Sequence, residues 1–259
     1  MAESTAIDAD LGTGEERWLG NHRSAKVSEL LARDILRDIE ERSLQPGAKL
    51  LPETAMLKRY GVGRASLREA LRILEIYGII KIKPGPGGGP VVDSVDSADF
   101  GRASSFYLNV LGATVGDLLE ARAALEPFMA RMAAERITPE RAESMREVLQ
   151  LEREAEEDSG AGWGRASAGF HAEVAGMTGN PILDLLGRTL TTMLAERTRP
   201  IFPPGERGAT RRIHQRIADA IMSGSADEAA RLSEGHVRAI NAKMVELFPH
   251  LLNEPIEWR

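Results

Sequence analysis

The strand pattern of this 259-residue chain is confined to one short segment, IIKIKPGPGGGPVV, at residues 79–92. Two β-branched runs flank a turn rich in glycine and proline, which is the pattern of a β-hairpin. After Val92 the pattern is one of amphipathic helices with short breaks. We therefore expect a mostly α-helical chain with one small hairpin.

Three helices are predicted before the hairpin. The first is VSELLARDILRDIEERSL, with apolar residues at helical spacing, and it ends at Pro46 and Gly47. The second runs roughly from Glu53 to Tyr60, and the third from about Arg64 to Tyr77. The order helix, helix, tight turn, helix, hairpin is that of a winged helix-turn-helix.

The third helix carries a basic stripe. Arg64, Arg68 and Arg72 follow one another at one-turn spacing, while Leu67 and Leu71 belong to the adjoining apolar arc. Such a stripe is either a solvated face paired with neighbouring glutamates or a surface that enters a DNA groove. The helix order and the hairpin favour DNA. The candidate DNA contacts are Arg64, Ser66, Arg68, Lys81, Lys83, Gly87 and Gly88.

The distribution of charge supports this interpretation. The net charge of the chain is −6, but residues 45–92 hold eight basic and three acidic residues. From residue 93 onward there are 19 basic and 26 acidic residues. A basic segment beside an acidic remainder is typical of a protein whose DNA binding is confined to a small module.

The acidic remainder is predicted to form an antiparallel bundle of six to seven helices. Helix starts are expected near residues 94, 114, 138, 164, 180, 207 and 225, with caps at Thr138 and Asn180 and a capping box between Ser225 and Glu228. The acidic run EREAEED, which begins at Glu152, is interpreted as a solvated helix end.

These patterns give a domain plan. We expect a disordered tail at 1–24, a winged helix-turn-helix at 25–92, a linker at 93–97, an all-helical effector-binding and dimerisation domain at 98–250, and a tail at 251–259. The chain has no cysteine, which excludes disulfides and thiolate sites. Without a signal-peptide pattern or a long apolar run, we expect it in the cytoplasm, associated with the nucleoid.

Three histidines lie on inward-facing stripes of different predicted helices. They are His171, His214 and His236. A histidine on an apolar face is commonly a core residue, but three from separate helices can converge on a metal ion. Spacing alone leaves both interpretations open.

The segment LLPETAMLKRYGVGRASLREALRILEIYGII resembles the signature of the GntR superfamily of bacterial transcription regulators. The resemblance implies that Arg64 and Arg68 contact operator DNA and that Gly87 to Gly89 belong to the wing. Thr54 stands where the family usually has a DNA-contacting arginine, and Gly63 replaces the usual serine. Operator preference is therefore expected to differ.

The second half resembles the all-helical ligand-binding domain of the FadR subfamily, the FCD domain. The matching pieces are LLEARAALEPFMARMAAER, FHAEVAGMTGNPIL and HQRIADAIMSGSADEAARLSEGH. The resemblance implies a divalent metal ion, zinc or nickel, on one aspartate and the three histidines. Ser167 replaces that aspartate here. It also places Arg122, Ser167 and Asn180 at the effector, although Arg122 can instead pair with Glu120 or Glu126, and Asn180 is explained as a helix cap.

We therefore expect a homodimeric transcription regulator, by resemblance a repressor, on a palindromic operator, with a small carboxylate-containing metabolite as effector. One alternative keeps the regulator but gives it a metal-free pocket for a larger or less polar ligand. A second alternative is a metalloenzyme built on the three histidines.

Overall fold

In a computed structural model, the described residues are 14–85, 87–94, 97–156, 162–198 and 204–256. They divide into two compact units, Met1–Asp96 and Ser97–Arg259. Among the described helices, none combines the length and the apolar character that crossing a membrane requires. The predicted fold class, a winged helix-turn-helix followed by a helical bundle, is confirmed.

In the first unit, three helices and a hairpin are described. The helices are α1 (Gly14–Glu41), α2 (Glu53–Tyr60) and α3 (Arg64–Ile76). The strands β1 (Ile80–Lys83) and β2 (Gly89–Val92) pair antiparallel, with Ile80 opposite Val92. This is the element order that the sequence predicts.

The core of the first unit forms where α1, α3 and β1 meet. Ile35, Leu67 and Ile80 are each at most 1 % exposed. Gly61 ends α2 in the left-handed region, at a φ of +63°, so that the chain turns directly into α3. A Cβ on Gly88 would lie 2.2 Å from the carbonyl oxygen of Lys83, so the tip of the hairpin requires glycine there.

The predicted tail at 1–24 is wrong for residues 14–24, which belong to α1. Adding a turn to a helix that is already anchored costs far less than nucleating a new one, and no proline stops the extension. Residues 1–13 lie outside the described residues.

The described residues of the second unit form seven α-helices and a short 3-10 helix. They are α4 (Ser97–Val110), α5 (Val115–Glu135), α6 (Pro139–Ala155), α7 (Gly162–Met177), α8 (Pro181–Thr198), α9 (Pro204–Met222), α10 (Ala226–Leu247) and the 3-10 helix Pro249–Asn253. Helix α5 packs against α7, α8, α9 and α10, so its side chains reach the centre of the bundle.

The helix caps follow the sequence with one exception. Thr138 Oγ1 accepts a hydrogen bond from Arg141 N, and Asn180 Oδ1 accepts one from Ile182 N at 3.0 Å. The predicted box at Ser225 does not form, because the Ser225 hydroxyl contacts Ser223 while Glu228 pairs with Arg231. Whether a capping hydrogen bond forms depends on the other hydrogen-bond partners that lie nearby in the sequence.

The predicted tail at 251–259 is also wrong for the residues that the structure describes, 251–256. Ile256 is 6 % exposed and packs into a core cluster with Val115 and Met244. Its N–H donates to Ala113 O at 2.9 Å, and its carbonyl oxygen accepts from Asn109 Nδ2. The apolar side chains of this segment are buried by folding back onto the bundle, which a linear pattern does not reveal.

Candidate functional site

Helix α3 has one buried and one exposed face. Leu67, Ala70, Leu71 and Leu74 are buried, whereas Arg64, Arg68 and Arg72 are exposed. The Arg68 side chain is 71 % exposed, and its Nε lies 3.7 Å from Glu53 Oε1, which is beyond hydrogen-bond distance. Arg64 is the first residue of the helix. The three guanidinium groups are therefore presented to solvent on the face opposite the core.

The hairpin adds two lysines and an exposed glycine tip. Lys81 Nζ lies 2.5 Å from Asp93 Oδ1, and this hydrogen bond holds the pKa of the Asp93 carboxyl below its usual value. Lys83, Gly87 and Gly88 are exposed. Lys49 Nζ donates to Gly87 O at 3.0 Å and ties the tip to the body of the unit. Of the two lysines on β1, Lys81 is thus already paired with an acidic side chain.

The three histidines converge inside the second unit. His171 comes from α7, His214 from α9 and His236 from α10, and each offers one nitrogen such that these atoms lie within 4.8 Å of one another. His214 Nε2 is 3.1 Å from His236 Nε2. Two nitrogens bound to one Zn²⁺ at about 2.1 Å lie about 3.0–3.4 Å apart for cis-octahedral to tetrahedral angles.

The protonation of the cluster also suits a metal ion. Burial lowers the pKa of His214 well below its usual value. Burial, followed by the neighbouring His214, does the same for His236. Both imidazoles are therefore neutral at pH 7, which is the form that ligates metals. The residues present thus fit a divalent cation.

A buried glutamate supports His214. Glu152 of α6 is 0 % exposed, and its Oε1 lies 2.7 Å from His214 Nδ1. Burial raises the pKa of Glu152 to about 7. The interpretation of its acidic run as a solvated helix end is therefore wrong at this residue. The signal was its place in the inward stripe of α6, after Ala142, Met145 and Leu149.

A second buried glutamate supports His171. Glu126 Oε2 lies 3.0 Å from His171 Nδ1, and Glu126 Oε1 accepts a hydrogen bond from Arg122 Nε. Burial by itself would raise the pKa of Glu126, but Arg122 and His171 outweigh it and hold that pKa well below the usual range. Of the two glutamates considered as partners of Arg122, the structure pairs it with Glu126.

The other expected effector residues lie in different surroundings. Ser167 is half-buried on α7 beside the Glu152 carboxyl. Its hydrogen bond lowers the pKa of Glu152, in opposition to the larger effect of burial. Asn180 caps α8. Among the described cavities, the one at His171 and His236 has a volume of about 10 Å³, enough for one water molecule or ion. A groove of about 380 Å³ between α9 and α10 also has His236 in its wall.

The sequence matches two protein families that divide the chain as its fold does. Residues 28–88 match the bacterial regulatory proteins of the gntR family, and residues 117–239 match the FCD domain. The chain thus combines a GntR-type helix-turn-helix domain with an FCD domain. This combination fits the FadR type of regulator.

Known GntR-family proteins resemble it along most of their length. The HTH-type transcriptional repressor NanR of Cronobacter sakazakii is 29 % identical over 249 residues, which cover 93 % of this chain and 94 % of the relative. An uncharacterised HTH-type transcriptional regulator of Mycobacterium tuberculosis is 29 % identical over 225 residues, 86 % of this chain and 91 % of the relative. The GntR structure of Streptococcus agalactiae shares the fold, with a TM-score of 0.67 and 24 % identity over 83 % of this chain and 99 % of that one.

The matched families and relatives are transcription regulators, not enzymes. The chain is accordingly a transcription regulator with a GntR-type, DNA-binding winged helix-turn-helix, and the metalloenzyme hypothesis loses its support. Its FCD domain is of a kind that often binds metal.

Proposed function

We propose that this GntR-family regulator is a repressor that binds a palindromic operator as a homodimer and is released by a small organic acid. The observation that carries the proposal is the exposed arginine stripe on α3, the second helix of the helix-turn-helix pair. In such motifs the N-terminal part of this helix enters the major groove.

Arg64 and Arg68 are the proposed base-reading residues. They occupy the first and second turns of α3, where the planar guanidinium can bond guanine O6 and N7. Ser66 lies between them and is half-buried. Lys83, Lys81, Gly87 and Gly88 are the proposed wing contacts, with Lys81 contributing less because Asp93 already neutralises it.

The homodimer is proposed to form through α4. At its C-terminal end Tyr107 and Val110 are 67 and 72 % exposed, and Leu111, the residue after the helix, is 78 % exposed. A patch of this kind marks an interaction surface. From Phe100 to Leu111 the only charged residue is Arg102, so two copies related by a two-fold axis would meet without strong repulsion.

The effector domain is proposed to hold Zn²⁺ or Ni²⁺ on His171, His214 and His236. Because Ser167 is not a carboxylate, an effector carboxylate would complete the coordination. The cavity at the histidines is too small for an organic acid, whereas the groove between α9 and α10 has a suitable volume and shares His236 with it. Arg122 is linked to His171 through Glu126. Ser167 is linked to His214 through Glu152.

The metal-free pocket is the second candidate. It is favoured by the hydrogen-bonded chain from Glu152 Oε1 through His214 to His236, which joins these atoms without an ion. In that case the histidines would bind the ligand directly.

The test is in vitro selection of DNA from a random library by the full-length protein. We expect an inverted repeat with half-sites about 10 base pairs apart, centre to centre, as two-fold symmetry requires. Selection of a single asymmetric half-site would contradict the homodimer, and no enrichment at all would contradict operator binding by α3.

Effector binding is tested separately, by screening carboxylates for a rise in melting temperature. Gly235 lines the groove, and a Cβ there would meet no atom within 4 Å. Gly235→Leu should therefore fill the groove and abolish the shift caused by a bound acid, whereas Gly235→Ala should preserve it. Equal shifts in both variants would contradict the groove as the effector site.

A further inference from the structure

The metal site proposed above lacks the aspartate of its family, yet it contains a buried carboxylate on the neighbouring helix. Ser167 occupies the aspartate position on α7, one turn before His171. Glu152 reaches the same region from α6, next to Ser167 and in contact with His214 Nδ1. Glu152 is thus a buried carboxylate beside a proposed metal ligand.

We infer that Glu152 is a positioning residue of the metal site, which acts through His214 and supplies the negative charge that Ser167 has removed. This inference rests on the proposed metal function. It places the carboxylate of the metal site on α6, whereas the family pattern places it on α7.

Ionised Glu152 fixes the tautomer of His214. Its carboxylate accepts from Nδ1–H, so Nε2 keeps its lone pair and directs it at the cluster, where His236 Nε2 is 3.1 Å away. A histidine whose ring is held in this way needs no reorientation to bind a cation. Glu152 thus prepares one of the three ligands.

The charge of Glu152 is offset only in part by its neighbours. Its second oxygen, Oε2, is buried without a hydrogen-bond partner in the described part of the chain. His171 and Arg211 lower the pKa of Glu152 against the larger effect of burial, but the Arg211 side chain forms its ion pair with Glu156, at 2.5 Å. Burying a carboxylate in this way is unfavourable unless a positive charge offsets it, which a bound cation would do.

Glu126 is the informative contrast. It also contacts a histidine, but the buried Arg122 already neutralises it. A divalent cation at the three histidines would therefore act on one carboxylate that is already neutralised and on one that is compensated only in part. The latter, Glu152, is expected to determine the affinity for the metal ion.

Glu152 acts through the imidazole ring and is not itself a ligand. The group whose ligand atoms lie within 4.8 Å of one another holds the three histidines and no glutamate among the described residues. Glu152 lies on the Nδ1 side of His214, and the ring separates it from Nε2.

The test compares the Zn²⁺ affinity of the full-length wild type with that of Glu152→Gln, by competition with a chromophoric chelator at one pH. Glutamine keeps an oxygen that accepts from Nδ1–H and removes the charge. We expect the variant to bind about 10- to 100-fold more weakly. The matched control is Glu154→Gln, on the exposed face of α6, whose carboxylate accepts from Gln150 Nε2 and should leave Zn²⁺ affinity unchanged.

Two further measurements separate positioning from folding. Unfolding by denaturant without metal should be no easier in Glu152→Gln, because the substitution removes a buried charge. The double variant Glu152→Gln/Ser167→Asp should recover Zn²⁺ affinity, since the carboxylate returns to α7. The Co²⁺ absorption spectrum reports whether the ligand field recovers with it.

The outcomes are distinct. If the wild type binds no Zn²⁺, the proposed metal site and this inference both fail. If the wild type binds Zn²⁺ and Glu152→Gln binds within twofold of it, the metal site stands and the inference is overturned. If Glu152→Gln loses affinity only in proportion to a loss of metal-free stability, Glu152 is structural and the inference is again overturned.

Discussion

His214 Nε2 and His236 Nε2 lie 3.1 Å apart, although the two residues are on different helices, α9 and α10. Two lone pairs cannot face each other at this distance, so one nitrogen must carry a proton. When ionised Glu152 accepts from His214 Nδ1–H, His236 Nε2–H is the donor in the metal-free protein. Binding a metal through both Nε2 atoms would require this proton to move to His236 Nδ1, so metal binding and the internal hydrogen bond exclude each other.

The first prediction concerns metal content. Protein purified in the presence of Zn²⁺ should carry about one ion per protomer by elemental analysis, and His236→Ala should carry none, because two histidines hold zinc far more weakly than three. DNA binding by the variant is the control and should persist. Metal-free wild type after supplementation with both Zn²⁺ and Ni²⁺ would favour the metal-free pocket.

The second prediction concerns the arginine stripe. Arg64→Ala and Arg68→Ala should each weaken operator binding by about 1–3 kcal/mol, because each removes a base or phosphate contact. Fluorescence anisotropy with the selected operator measures the loss. Arg72→Ala, one turn further along α3, is the matched comparison and should cost less. Unchanged affinity in both Arg64→Ala and Arg68→Ala would contradict the assignment of α3 as the reading helix.

The third prediction concerns the buried pair of Arg122 and Glu126. Glu126→Gln leaves the guanidinium charge buried without an anion and should lower the free energy of unfolding by about 3–5 kcal/mol. Denaturant unfolding followed by circular dichroism measures it. The double variant Arg122→Met/Glu126→Leu, which removes both charges, should regain most of the loss. Equal destabilisation of the single and double variants would mean that packing, not charge, is what matters.

The fourth prediction concerns pH and the first unit. Asp38 of α1 accepts hydrogen bonds from Arg59 and Tyr60 of α2, and these hold the pKa of Asp38 below its usual value. The unfolded chain therefore binds more protons at Asp38 than the folded chain does. Stability from this group is fully present above the unfolded pKa of about 4 and is lost as pH falls through the folded pKa.

Asp38→Asn should accordingly lower the melting temperature at pH 7 and flatten its decline between about pH 5 and pH 3. Thermal unfolding across that range compares the two proteins. A variant whose melting temperature declines with acid as steeply as that of the wild type would exclude Asp38 as a source of the pH dependence. Asp34→Asn, an exposed carboxylate one turn earlier that pairs within its own helix, is the control.

Much of the fold could be predicted because its signals are local. The glycine-rich turn of the hairpin, the cap at Thr138 and the apolar stripe of α3 each depend on residues a few positions apart. The same holds for the inward placement of His171, His214 and His236, each of which follows from its own helical stripe. The sequence by itself thus determined the order of elements, the exposed face of α3 and which histidines point inward.

Only the tertiary structure decided which of these groups meet. That Glu152 reaches His214, 62 residues away, and that Ile256 folds back onto α5, depend on how helices pack across the bundle. Helical periodicity gives the face of a residue but not its partner on another helix. A carboxylate within an acidic run is interpreted from sequence as solvated even where it is buried, because its burial depends on neighbours that are distant along the chain.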